Sequence, residues 1–260
     1  MFPPQRIVCL TEETVETLYL LGEDARIVGV SGFAQRPPQV RREKPRVSAF
    51  TSANIDEIAA LTPDLVLTYS DLQADIAAQL IRRGIAVHAF THHDLAGILS
   101  MIRMLGAMVG AGKKADALAR SLEERLAAVA ASAGTARPRV LFEEWFEPII
   151  AGSRWVSELI GIAGGIDVFS DKARHQAAKD RFVTAEEAVA AAPDLIIGSW
   201  CGKQFKPDQV KARPGFGAIP AVQNGRLHEI NSTLILQPGP AALTDGLDAL
   251  RAIISGSSER

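Results

Sequence analysis

Apolar residues recur every three or four positions along residues 113–132, which predicts one uninterrupted helix. The apolar positions of this stretch are Ala115, Leu118, Leu122, Leu126 and Val129. At ~1.5 Å per residue such a helix is roughly 30 Å long, about the diameter of a small domain. Because similar patterns occur on both of its sides, we interpret it as a stiff connection between two lobes.

The first half of the chain alternates short apolar runs with helical periodicity. The apolar runs predict strands at 7–10, 27–30, 65–68 and 85–89. The periodic stretches between and after them predict helices at 12–21, 55–61, 74–83 and 95–109. We interpret the basic run at 41–46 as a surface loop.

The second half repeats the pattern of the first. The segment AEEAVAAAPDLII at 185–197 matches IDEIAALTPDLVL at 55–67, so the triplet Pro-Asp-Leu occurs once in each half. In both copies a proline ends a short helix and a buried strand follows. The sequence therefore predicts an α/β fold with two Rossmann-like lobes of mostly parallel sheets, at 1–112 and 135–260, joined by a single long helix at 113–134.

Composition supports two lobes and narrows the partners. The chain has 260 residues, 47% of them hydrophobic, which is enough for two cores. Its net charge of −2 gives no general attraction to nucleic acid or anionic lipid. Cys9 and Cys201 are too few for a disulfide framework or a zinc site, and Cys9 lies in an apolar run where we expect a buried thiol.

Two compartments remain open from the sequence. No secretory leader is visible, and the most apolar segment, 98–111, contains Arg103 and is too short to span a bilayer. We expect a cytoplasmic protein if Met1 is the native start, and a periplasmic protein if a leader has been removed.

The predicted strand ends define a candidate ligand site. In open parallel sheets, ligands bind outside the carboxyl ends of the strands. The candidates at those ends are Thr11, Glu12, Phe33, Tyr69, Glu144, Trp145, Trp200 and Asn231. Four of them are aromatic, which together predicts a stacking surface for a flat ligand. For each of these four aromatic residues taken alone, the alternative is that its side chain simply covers the sheet.

A metal-dependent enzyme is the competing hypothesis. Glu143, Glu144 and Glu147, with His92 or His93, provide groups for metal binding or acid–base chemistry. Adjacent strand residues point to opposite faces, however, so Glu143 and Glu144 do not act together while extended.

Local motifs favour a binding protein over an enzyme. No HxxxH or CxxC spacing occurs, so no metal site is predicted. The segment before Lys114 is not a phosphate loop, because Ala107 stands where that motif needs glycine. The sequence therefore predicts no catalytic residue and no catalytic cofactor.

Four stretches of the chain resemble a known family. They are RIVCLTEETVETLYLLGEDARIVGVS at 6–31, ANIDEIAALTPDLVL at 53–67, VLFEEWFEPIIAGSRWVSELIGIAGGIDVF at 140–169 and ARPGFGAIPAVQNGRLHEI at 212–230. They resemble class III solute-binding proteins, the helical-backbone metal-receptor superfamily, and in particular its cobalamin-binding subgroup. The resemblance covers essentially the whole chain and includes the long central helix.

The resemblance implies a non-catalytic protein that holds a bulky metal chelate in the cleft between its lobes for ABC-type import. The implied ligand is cobalamin first, then haem or a ferric siderophore. The implied partners are the membrane subunits of an ABC importer, with Asp71, Asp75 and Asp208 as candidate docking residues. The alternative is a cytoplasmic relative that binds a metal or cofactor without an importer.

Overall fold

The computed structural model describes residues 3–256, so Met1 and Phe2, which bear on the question of the native start, lie outside the described residues. The chain divides into two compact units. Unit 1 comprises the chain up to His92 together with Ala96–Leu122, and unit 2 comprises His93–Leu95 and the chain from Glu123 onward. The lobe limits predicted from the sequence, at 112 and 135, stay a prediction.

Unit 1 contains a five-stranded sheet in which all strand pairs are parallel. Its strands are β1 (Ile7–Cys9), β2 (Ile27–Ser31), β3 (Arg46–Ser48), β4 (Leu65–Tyr69) and β5 (Val87–Phe90). They are ordered β3-β2-β1-β4-β5. The chain leaves β1 in one direction along the sheet and returns to β4 on its other side, so the strand order reverses between β1 and β4. Doubly wound sheets bind their ligands at such a point.

Six α-helices begin between residues 3 and 130. They are α1 (Glu12–Leu21), α2 (Val40–Glu43), α3 (Ile55–Ala60), α4 (Ala74–Arg82), α5 (Leu95–Met108) and α6 (Gly112–Ala131). Helix α1 ends at Gly22, whose φ of 72° lies in the left-handed region that glycine adopts without strain. The interpretation of 41–46 as a surface loop is wrong, because α2 and β3 form there. Val40 and Val47 are buried and pack into the core, although basic neighbours mask them in the sequence.

Helix α6 confirms the predicted helix at 113–132 to within one residue at each end. Its apolar stripe is buried at Ala115 and Leu122 in unit 1 and at Leu126 and Val129 in unit 2. Gly106 lets α5 approach α6 closely, since a Cβ there would lie 2.2 Å from the Cβ of Ala115. No helix within residues 3–256 is both long enough and apolar enough to cross a membrane.

Unit 2 contains a mixed sheet. Its strands are β6 (Arg139–Trp145), β7 (Ile149–Ala151), β8 (Ile166–Asp167), β9 (Phe182–Val183), β10 (Leu195–Gly198) and β11 (Leu227–Glu229). The order is β11-β10-β6-β7-β9, and β8 also pairs with β6. Strands β6, β8, β10 and β11 are parallel, whereas β7 is antiparallel to both β6 and β9. The predicted α/β fold with mostly parallel sheets is confirmed, and the antiparallel pairs of β7 are a local addition that the sequence did not predict.

The hairpin forms because β6 continues to Trp145 and the chain turns back at once through Pro148 into β7. The helices of unit 2 are α7 (Arg154–Ile162), α8 (Ala185–Ala191), α9 (Pro207–Lys211), α10 (Pro220–Gln223), α11 (Ser232–Ile235) and α12 (Leu247–Gly256). A π-helical turn, Ala242–Gly246, precedes α12.

The repeated Pro-Asp-Leu triplet has the same structural role in both units. Asp64 accepts a hydrogen bond from the backbone N–H of Arg6 at 2.9 Å, and Asp194 accepts one from the backbone N–H of Arg139 at 2.8 Å. Each aspartate therefore ties the start of a central strand, β1 or β6, to the start of its parallel neighbour. The duplication inferred from the sequence is reproduced at the level of individual hydrogen bonds.

Candidate functional site

The carboxyl ends of β1, β2 and β4 bring together four of the predicted ligand residues in unit 1. Thr11 and Glu12 follow β1, Phe33 lies just beyond β2, and Tyr69 ends β4 beside β1. Phe33 is 50% exposed and offers an open aromatic face, whereas Tyr69 is buried. The hydroxyl of Tyr69 donates to the backbone oxygen of His92 at 2.6 Å, so its proton is already used in a hydrogen bond within unit 1.

Three glutamates at the start of α1 are buried, and each has a different environment. Glu16 accepts a hydrogen bond from Arg36 at 2.9 Å. Glu13 accepts one from the hydroxyl of Thr11 at 2.5 Å, and burial raises the pKa of this carboxyl to about 8. Glu13 therefore carries its proton at neutral pH. The thiol of Cys9 is buried as predicted, and burial raises its pKa to about 12.

Glu12 is the least satisfied of the three. Its side chain is 8% exposed, and its Oε2 is buried without a hydrogen-bond partner among residues 3–256. Burial raises the pKa of Glu12, while the backbone N–H of the same residue lowers it. A buried acceptor of this kind is expected to have a donor, because leaving it unpaired is destabilising.

The carboxyl end of β6 carries a buried ion pair. Arg213 donates to both carboxylate oxygens of Glu143, at 2.5 and 3.1 Å, and the indole N–H of Trp200 lies 3.3 Å from the same group. The guanidinium also lies over the rings of Phe146 and Phe216, with 4.8 and 5.2 Å to their centroids. Burial raises the pKa of Glu143, and Arg213 opposes that shift.

Glu144 is engaged by a second arginine. Arg181 donates to its Oε2 at 2.7 Å, and the backbone N–H of Ser153 donates to its Oε1 at 2.5 Å; the hydroxyl of Ser153 also donates to Oε1. The two adjacent glutamates thus bind different arginines, as expected for neighbouring strand residues on opposite faces. Each has a structural role within unit 2. Glu144 as a ligand contact stays a prediction.

Trp200 lies in the core of unit 2. Its indole packs against Phe146 and Phe205, with ring centroids 5.0 and 4.9 Å away, and only 3% of the residue is exposed. Gly198 permits this arrangement, because a Cβ there would lie 1.9 Å from the ring of Phe205. Trp200 thus packs over the sheet, which was the alternative to ligand stacking for each of the aromatic residues at strand ends.

Trp145 is the accessible aromatic residue of β6. It is half-buried, its indole N–H donates to the backbone oxygen of Glu147 at 3.0 Å, and the ammonium of Lys203 lies 4.4 Å from its ring centroid. Trp145 pairs across the hairpin with Ile150, which pairs in turn with Phe182 on β9. Directly opposed residues share a face, so these three apolar side chains form a row.

Asn231, the last predicted ligand residue, caps a helix. Its side-chain oxygen accepts from the backbone N–H of Thr233 at 3.0 Å and from the Thr233 hydroxyl at 2.9 Å. The residue is exposed.

Sequence reasoning missed four residues near these strand ends. They are Arg181, Arg213, Lys203 and Phe182. A signal for the arginines was present, since a glutamate in a buried strand requires a cationic or hydrogen-bonding partner, but the sequence does not say which one. Phe182 had no signal, because β9 has only two residues.

A metal site finds no support in the described part of the chain. Among residues 3–256, no group of three or more histidine, cysteine, aspartate or glutamate side chains is placed to hold a metal ion. Glu143 and Glu144, the carboxylates of the competing hypothesis, are both bound by arginine.

Comparisons with known proteins cover nearly the whole chain. A family model described as periplasmic binding protein matches residues 7–234. The chain is 26% identical over 245 residues to a vitamin B12-binding protein of Vibrio parahaemolyticus serotype O3:K6, a match that covers 93% of this chain and 86% of that protein. It is also 26% identical over 258 residues to an uncharacterized ABC transporter substrate-binding lipoprotein of Bacillus subtilis, covering 95% of this chain and 79% of that one.

A solved structure shows the same fold. The periplasmic heme-binding protein of Roseiflexus sp. RS-1, in its apo form, aligns with a TM-score of 0.81 and 25% identity over 96% of this chain and 99% of its own. Proteins named for vitamin B12 and for heme are therefore both similar to this chain over nearly its whole length.

Proposed function

This chain belongs to the periplasmic binding protein family, and from that premise we propose that it binds cobalamin, or failing that haem or a ferric siderophore, for delivery to an ABC importer. The family membership confirms the resemblance found in the sequence. It also agrees with the prediction of a binding protein rather than an enzyme, since the relatives are named for binding.

The observation that carries the proposal is the position of two aromatic side chains that are accessible to solvent, Phe33 at 50% exposure and Trp145 in part. Phe33 lies at the carboxyl end of β2 in unit 1, and Trp145 lies at the carboxyl end of β6 in unit 2 with Ile150 and Phe182 beside it. Flat apolar surfaces at strand ends suit the ring of a large chelate, and their area favours it over a bare ion. The relative named for vitamin B12 matches the chain across these positions.

The contacts we propose come from both sets of strand ends. In unit 1 they are Thr11, Glu12, Phe33 and Tyr69, and in unit 2 they are Trp145 and Asn231, with Phe182 added and Trp200 supporting them from the core. Glu144 acts through its ion pair with Arg181, which orders the start of the hairpin. A metal-dependent activity has no comparable support, because the carboxylates that it would use, Glu143 and Glu144, already form ion pairs with arginines.

A titration with three ligands tests the proposal. Purified protein is titrated with cyanocobalamin, hemin and a ferric siderophore and followed by visible absorbance and calorimetry. We expect saturable binding of one ligand per chain at micromolar concentration or below, with cyanocobalamin the tightest. The proposed function is wrong if none of the three ligands saturates the protein.

Replacing Trp145 with alanine should weaken binding of the preferred ligand by about tenfold, because an aromatic face worth about 1–2 kcal/mol is lost. The indole is half-buried and packs at the end of a hairpin, so stability should change little. Ile81→Ala serves as the matched control, since Ile81 is an exposed apolar residue at the far end of α4. Equal dissociation constants for Trp145→Ala and the control would place the stacking surface elsewhere.

A further inference from the structure

Glu12 is the acidic side chain at the carboxyl edge of unit 1 that the protein does not itself satisfy. It begins α1, three residues after the end of β1, at the point where the strand order reverses between β1 and β4. Its Oε2 is buried and has no hydrogen-bond partner, and no lysine, arginine or histidine within residues 3–256 forms an ion pair with it. Its neighbours Glu13 and Glu16 are served by Thr11 and Arg36.

The second copy of the fold resolves the same problem internally. Glu144 lies near the carboxyl end of β6, the central strand of unit 2, and its oxygens accept from Arg181 and Ser153. Among residues 3–256, no cationic side chain takes the place of Arg181 against Glu12. The unpaired oxygen is therefore a particular feature of Glu12 rather than a general property of glutamates at the end of a central strand.

The chemistry of a buried, unpaired carboxylate oxygen limits what it accepts. It is stabilised by an N–H or O–H donor, and charge-assisted hydrogen bonds of this kind are strong. A second carboxylate placed against it is repelled, because like charges interact strongly where water is excluded. Glu12 thus distinguishes ligands by the side groups around the edge of the chelating ring, here called the rim, rather than by the ring or the metal.

We propose that Glu12 is a specificity-determining residue of the ligand site, whose carboxylate accepts a hydrogen bond from an amide N–H on the ligand rim and disfavours a rim that presents carboxylates. The inference rests on the proposed function and narrows it. Among cobalamin, haem and ferric siderophores, Glu12 selects a neutral, amide-bearing corrinoid over a chelate with ionised side chains such as haem.

A matched pair of corrinoids tests this selection with the ring and metal held constant. Dicyanocobinamide carries amide side chains, whereas dicyanocobyrinic acid carries carboxylates at the same positions. At pH 7.5 we expect the wild-type protein to bind dicyanocobinamide at least about tenfold more tightly, on the scale of one charge-assisted hydrogen bond. Glu12→Gln should reduce this preference to about threefold or less, mainly by improving binding of the acid.

Two further variants serve as controls for the ligand preference measured with Glu12→Gln. Glu12→Asp keeps the charge and should keep the preference, which also covers the case in which Glu12→Gln folds poorly. Glu57→Gln removes an exposed carboxylate from α3 and should leave both affinities unchanged. Thermal unfolding is recorded for each variant.

The outcomes separate the inference from the function on which it rests. An equal preference in the wild type and Glu12→Gln, with binding intact, overturns the role of Glu12 and leaves the proposed function standing. No binding of either corrinoid by the wild-type protein overturns both.

Discussion

Replacing Arg213 with methionine should lower the free energy of unfolding by about 3–5 kcal/mol. The guanidinium is the only cationic group that contacts Glu143 among residues 3–256, and the two side chains are buried together. Methionine fills much of the same volume but leaves the carboxylate without its counter-charge. The loss is therefore one of charge compensation rather than of packing, and urea unfolding followed by circular dichroism measures it.

Two comparisons show whether the buried charge is responsible. Arg174→Met removes an arginine that pairs with Asp171 at 3.3 Å and is 77% exposed in its side chain, so it should cost less than about 1 kcal/mol. Adding Glu143→Gln to Arg213→Met should recover a large part of the loss, since the uncompensated charge disappears with it. If Arg213→Met is no more damaging than Arg174→Met, the ion pair does not stabilise unit 2.

The second large effect concerns Glu13 and the pH. We expect the unfolding free energy of the wild-type protein to fall as the pH rises from about 4.5 to about 8, by on the order of 4 kcal/mol from this residue alone. The unfolded carboxyl releases its proton near its ordinary pKa of 4.5, whereas the folded one keeps it up to about 8. Across that window the unfolded state binds fewer protons, so raising the pH favours unfolding.

Glu13→Gln should remove most of this dependence. The amide keeps an acceptor for the hydroxyl of Thr11 and carries no charge at any pH. The variant and the wild type should therefore be similar in stability at pH 4.5 and should diverge towards pH 8, with the variant the more stable. The difference isolates Glu13 because Glu12, whose pKa burial also raises, is present in both proteins.

The measurement is urea unfolding at a series of pH values from 4.5 to 8.5. The upper limit avoids the thiol of Cys9, which begins to contribute near its ordinary pKa of 9.0. Glu57→Gln, at an exposed position on α3, should run parallel to the wild type throughout. Parallel curves for Glu13→Gln and the wild type would mean that Glu13 is ionised in the folded protein.

The elements of the fold were largely predictable because their signals are local. Period-3.6 patterns predicted α6 and α5, and apolar runs bounded by proline or glycine predicted β1, β4 and β10. The short strands β7 and β9 were not predicted, since two or three residues carry no periodicity. They form because β7 pairs with the edge of β6 and β9 then pairs with β7, and the second pairing joins positions more than 30 residues apart.

The candidate site was predictable only in outline. The rule that ligands bind at strand ends located Glu12, Phe33 and Trp145 correctly at the carboxyl ends of their strands. The rule does not distinguish an open aromatic face from a buried one, so Trp145 and Trp200 looked equivalent in the sequence. The ring of Phe205, packed against Trp200 across Gly198, makes the difference.

The sequence by itself determined the alternation of helices and strands, the duplication of the half-molecule and the family, because these depend on residue order over short stretches. Only the tertiary structure decided which carboxylates are neutralised. Glu143 and Glu144 meet Arg213 and Arg181, whereas Glu12 keeps an oxygen without a partner. The physical reason is that the energy of a buried charge depends on the groups that surround it in space, and those groups come from parts of the chain far apart in sequence.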